Sequence, residues 1–187
     1  MLYLLDLKSN EVPYLKASPN KVLIFECYVP YYKDTAMTEL IPTINEIVKY
    51  GLQPNLNVAD KEELLEKKLV KIYSLYFDIE YKFDETEYSE FDKNEYSDIR
   101  KNVISNFPEL GLYKTILDIN DIDNLKDNAI GDAVDDLTDI ILDLLEIKWR
   151  IENNSLADGL WYFELIFYGH TQQHILDLLN YLKQKNG

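Results

Sequence analysis

Two long amphipathic runs near the C-terminus, residues 129–151 and 155–185, leave few folds open to this chain. Projected at about 100° per residue, Asp132, Asp135, Asp136, Asp139, Asp143 and Glu146 fall inside one arc of the first run, and Ala133, Val134, Leu137, Ile140, Ile141 and Leu144 lie opposite. Such segregation is the mark of a helix with one face in a core. The second run starts behind Ser155, with Asp158 three residues on as a capping-box variant. Only Asn153-Asn154-Ser155 separates the two, so they are expected to pack as an antiparallel hairpin of long helices. Trp149 and Trp161, flanking the turn, read as core closures where the helices meet.

The rest of the chain fits an all-α, bundle-like single domain around that hairpin. Residues 1–55 are the hardest to read. Pro13 and Pro19 punctuate the start, 22–28 could form a strand, and Pro30 and Pro42 predict a kinked helix or two shorter ones ending at Gly51. Asp60 followed by Glu63 marks a helix start, with apolar residues at helical spacing to about Phe83 and a Glu63–Lys67 pair on the solvent side. A short helix is expected over 95–106 and an extended piece over 113–119. With only 6 Gly and 6 Pro in 187 residues, a turn-dense β-sandwich is disfavoured.

Charge limits the partners. The formal net charge is −15, with 34 acidic against 19 basic residues, which repels phosphate backbones and excludes a nucleic-acid-binding role. No apolar run approaches the roughly 20 residues of a membrane span. The single cysteine, Cys27, cannot bridge within the chain and reads as buried and inert. These features suit a cytoplasmic setting. The acids concentrate in two places: the stripe on the first long helix, and residues 78–97, where carboxylates alternate with aromatics. Both can be solvated faces. Both can also meet a basic partner, through Asp132, Asp135, Asp136, Asp139 and Asp143 on the stripe and through Tyr81, Glu85, Glu87, Tyr88 and Glu90 on the segment.

The second long helix carries both histidines. His170, His174 and Asp177 share one helix face, a workable partial set for zinc or iron, although histidines beside Phe163, Ile166, Phe167 and Leu178 are more often hydrogen-bonded core members. Thr171 follows His170 where the zincin signature requires glutamate, so that protease class is excluded. Asp132, Asp136 and Asp139 have the i, i+4, i+7 spacing that could converge on a hard cation.

The stretches GDAVDDLTDIILDLLEIKWRIENN and DGLWYFELIFYGHTQQHILDLLNYL resemble a bacterial family catalogued as domain of unknown function 5063. The matching positions are Gly131, Asp132, Asp135, Asp136, Asp139, Trp149, Trp161, His170 and His174, while Thr171-Gln172 stands where the family has Trp-Gly. The resemblance implies a compact, mainly helical protein and brings no activity. The reading that results is a non-catalytic, cofactor-free acidic protein that covers a basic partner, as an immunity protein covers a nuclease toxin. A metal-dependent helical hydrolase, with a divalent ion at His170, His174, Asp177 and acids near Asp132 and Asp136, is the alternative; an uncharacterised scaffold is a third.

Overall fold

The computed structural model describes residues 31–187 apart from 84, 117, 119, 122 and 124–128, with side chains from Thr38 onward. The chain is mostly helical. Helix α1 (Tyr31–Leu52) and α2 (Lys61–Asp78) are followed by a 3-10 turn (Lys93–Tyr96) and α3 (Ile99–Asn106). A two-stranded antiparallel sheet, β1 (Leu112–Thr115) and β2 (Ala129–Asp132), precedes α4 (Ala133–Asn153). The chain closes with α5 (Leu156–Ile166), a π-helical turn (Phe167–Thr171) and α6 (Gln172–Asn186).

Helix α4 is the axle of the bundle. It packs against α1, α3, α5 and α6, so its apolar residues Leu137, Ile140, Ile141 and Leu144 are fully buried. The same central position buries the other arc: Asp136, Asp143 and Glu146 are 6%, 2% and 6% exposed. The expected outward acidic stripe is therefore corrected for these three, while Asp135 stays exposed. Charges at the centre of a bundle need cationic or hydrogen-bonding partners, and each of the three has them. Helix α5 returns along α4 at very close range, because a Cβ on Gly159 would lie 2.3 Å from Ile151 Cγ1 and 2.9 Å from the Ile151 backbone nitrogen. Gly159→Ala should force the two helices apart and cost about 1–3 kcal/mol of stability in urea unfolding.

Several local expectations hold. Ser155 caps α5, its hydroxyl accepting from the Asp158 N–H at 3.0 Å, and Lys67 donates to Glu63. The α4–α5–α6 hairpin is present, with the π turn interrupting the second arm. Others are corrected. Residues 129–132 pair with 112–115 as a strand, so the fold is mainly rather than wholly helical. Asp60 takes a left-handed conformation (φ 51°) and makes no side-chain cap, and α2 stops at Asp78. Pro42 lies inside one continuous α1. That helix ends where α3 collects its carbonyls: Asn106 donates to Tyr50 O and Gln53 O, and Asn102 to Gly51 O, each at 2.7 Å. Trp149 and Trp161 pack on Phe91 and Phe83 of the segment crossing the hairpin's end. The predicted strand at 22–28 and Cys27 lie outside the described residues.

Candidate metal centre

The antiparallel return of α6 along α4 brings the histidines onto the acidic arc. The π turn carries His170 and Thr171, and its extra residue per turn resets the helix face so that both point at α4. His170 Nδ1 lies 2.9 Å from Asp143 Oδ2, which also accepts from the Thr171 hydroxyl at 2.7 Å. One turn on, His174 Nδ1 lies 2.8 Å from Asp136 Oδ1, while Tyr113 of β1 donates to Asp136 Oδ2 at 2.6 Å.

An ionised carboxylate only accepts, so each imidazole presents its proton at Nδ1 and leaves Nε2 for other business. Those two Nε2 atoms face each other 3.2 Å apart. Two lone pairs do not sit that close without a cation between or beside them. The contact is a hydrogen bond when one of the two nitrogens carries a proton, and the hydrogen bond to Asp136 pushes the His174 pKa above its ordinary value against the opposing effect of burial. Asp139 completes the group, with Oδ2 3.7 Å from His174 Nε2 and a pKa raised chiefly by burial. Asp139, His170 and His174 each offer one ligand atom, and those atoms all lie within 4.8 Å of one another.

The separation of the nitrogens is itself informative. A zinc ion with Zn–N bonds of about 2.0–2.1 Å could reach both nitrogens at this separation. Both rings also carry the carboxylate on the remote nitrogen that metal-ligating histidines usually have. His170, with its side chain 45% exposed, leaves the outer side of the group open to solvent.

Of the residues read from sequence, His170 and His174 come together and Asp177 does not: its carboxylate accepts from Gln173, and Asp139 takes the third position. Asp132, Asp136 and Asp139 do not converge on one ion. Asp132 caps α4 by accepting from Val134 N–H and, with Asp135, pairs with Arg100. Glu146 pairs with Arg150. Asp136 and Asp143 are withdrawn from any partner surface by burial, whereas Asp135 is exposed, Asp139 half-exposed, and Tyr81, Glu85, Glu87 and Glu90 of the acidic segment are exposed, with Tyr88 half-buried. The Asp136 contacts also change what substitution should do. Asp136→Asn should destabilise the metal-free protein by about 1–3 kcal/mol by weakening both partners of a buried group, while Asp139→Asn should leave its melting temperature unchanged or slightly raised; equal effects in thermal melts would contradict this assignment.

No family model matches the chain, and no curated protein matches it. Among solved structures, it is similar to the crystal structure of protein BF1032 from Bacteroides fragilis, with a TM-score of 0.59 at 16% identity over 84% of this chain and 94% of that one. At that identity the likeness is one of fold.

Proposed function

We propose that this protein is a metal-dependent hydrolase with a single zinc ion held by Asp139, His170 and His174. The observation that carries the reading is the pair of Nε2 atoms 3.2 Å apart, each ring backed by a buried carboxylate. Two imidazoles, one carboxylate and an open position are the donor set of hydrolytic zinc sites, in which the metal lowers the pKa of a bound water to about 7. The chain's own part is orientation: Asp143 and Asp136 fix the ring tautomers, Thr171 and Tyr113 fix those carboxylates, and the half-exposed Asp139 supplies the anionic ligand.

Zinc should bind the chelator-treated protein at one ion per chain in calorimetric titration, and a His170→Ala/His174→Ala double variant should bind none. Uptake well below one per chain would overturn the centre. Chelator-sensitive, zinc-restored cleavage of chromogenic ester, phosphoester or amide probes is expected of the wild type, and a zinc-loaded protein inert on all three would overturn the hydrolytic reading. The proposal that the protein covers a basic partner keeps support from the exposed Glu85, Glu87 and Glu90 and loses that of the buried stripe acids.

A further inference from the structure

Resting on the metal reading, we infer that Tyr113 is a positioning residue for His174, and that the small β-hairpin exists to hold it there. Tyr113 lies on β1 directly across from Gly131 on β2, and β2 runs without a break into α4, so one short element fixes both ends of the Tyr113–Asp136 hydrogen bond. Asp136 divides its oxygens: Oδ2 accepts from the phenol at 2.6 Å and Oδ1 from His174 at 2.8 Å. With both oxygens engaged the carboxylate cannot rotate, and the imidazole it holds is aimed at the metal position. Behind the other ring the arrangement differs, since His170 and Thr171 share one oxygen of Asp143, Oδ2.

The hairpin glycine shows how closely the ring is seated. A Cβ at Gly131 would stand 2.2 Å from Tyr113 Cζ and 2.6 Å from its hydroxyl oxygen. Gly131 has no positive φ to explain its identity, so what the position requires is space for the phenol ring. Tyr181 packs against the same ring, with centroids 5.5 Å apart, and its own hydroxyl is engaged by Gly111 N–H and Glu109 O. The phenol thus contacts a glycine backbone and a fixed ring, with its hydroxyl on the carboxylate.

The phenol could act in two opposite directions. Donating to Asp136 lowers that carboxylate's basicity and so its pull on the His174 proton; fixing its rotation aligns the ring. The inference is that alignment dominates. Tyr113→Phe, which keeps the ring, should weaken zinc affinity by roughly 10–100-fold, the range seen for outer-shell partners of metal histidines, while the metal-free protein melts within a few degrees of wild type. Gly131→Ala should lose affinity similarly. In a Tyr113→Ala background it should lose nothing more, because both changes act through the same ring. Zinc affinity of Tyr113→Phe within twofold of wild type, or tighter, would overturn the inference. Nitrogen NMR of the two histidines in metal-free protein supplies the independent arm: the hydrogen-bonded Nδ1–H signal of His174 should shift or broaden in Tyr113→Phe while that of His170 stays put. A wild type that takes up no zinc overturns the metal reading itself; the imidazole signals then still decide the relay, and an unchanged His174 signal would end it.

Discussion

Arg150→Met should lower the melting temperature by roughly 6–12 °C, corresponding to about 3 kcal/mol at about 2–4 °C per kcal/mol for a chain of this size. Arg150 sits at the corner where α4 turns into α5. Its Nε and Nη2 donate to Glu146 Oε1 at 3.1 and 2.9 Å, and Nη1 donates to both oxygens of Asp158 at 3.1 and 3.3 Å. The guanidinium also lies over the Tyr162 ring, 4.2 Å from its centroid. Both acids are 6% exposed, so removing the arginine leaves two buried carboxylates with weaker support, the Tyr162 hydroxyl and Lys93 at 3.7 Å on Glu146 and Asn154 on Asp158. The cost of an orphaned buried charge, not the worth of the pair, makes this effect large. Arg150→Lys should recover only part of it, since an ammonium cannot reproduce the planar fork that serves both acids. Adding Glu146→Leu and Asp158→Leu to Arg150→Met should restore much of the stability, because an apolar replacement leaves nothing uncompensated. Chemical denaturation and thermal melts of the four proteins check this ordering, and an Arg150→Met protein melting within a degree of wild type would refute it.

The same corner shows what the sequence could and could not reveal. Apolar spacing in α4 and the Ser155 cap made both arms of the hairpin readable, because both are local properties of one helix. A helical projection assigns angles within α4, yet an arc of acids looks the same whether it meets water or a second polar helix. Which it meets is set by the packing of four other helices around α4. One signal was nonetheless available: Asp136 and His174 lie equally far from Ser155, 19 residues on either side, so a chain folded back at that cap places them side by side. Asp143 and His170 are out of step by three residues under the same rule, so that second pairing was not legible from spacing. Spacing within one helix grouped Asp177 with the histidines, whereas the packing of α6 on α4 brings Asp139 there instead. The role of Tyr113 was out of reach because it depends on a strand pairing across 129–132, residues whose pattern continues smoothly into the helix.

Zinc should stabilise the protein at alkaline pH and cease to do so in mild acid, in opposition to what the metal-free protein does. Zinc at about a hundred times Kd should contribute about 2.7 kcal/mol, or roughly 5–11 °C in melting temperature. In the metal-free protein the His174 pKa is raised above its unfolded value, first by its hydrogen bond to Asp136. The stability this contributes is therefore fully present below about pH 6.5, the unfolded reference, and is lost as pH rises through the higher folded value. Metal-free protein should thus gain melting temperature from His174 as pH falls from 8 toward 6. Zinc competes for the very nitrogen that proton occupies, so its affinity falls over the same interval, and the zinc-loaded and metal-free curves should converge toward pH 5.5. His174→Ala should remove both trends together: no zinc-dependent rise at pH 8 and a flatter metal-free profile between 8 and 6. Melts with zinc and with chelator across that range decide the matter, and a zinc increment that stayed constant down to pH 5.5 would mean the ion binds through carboxylates alone, away from the imidazole pair.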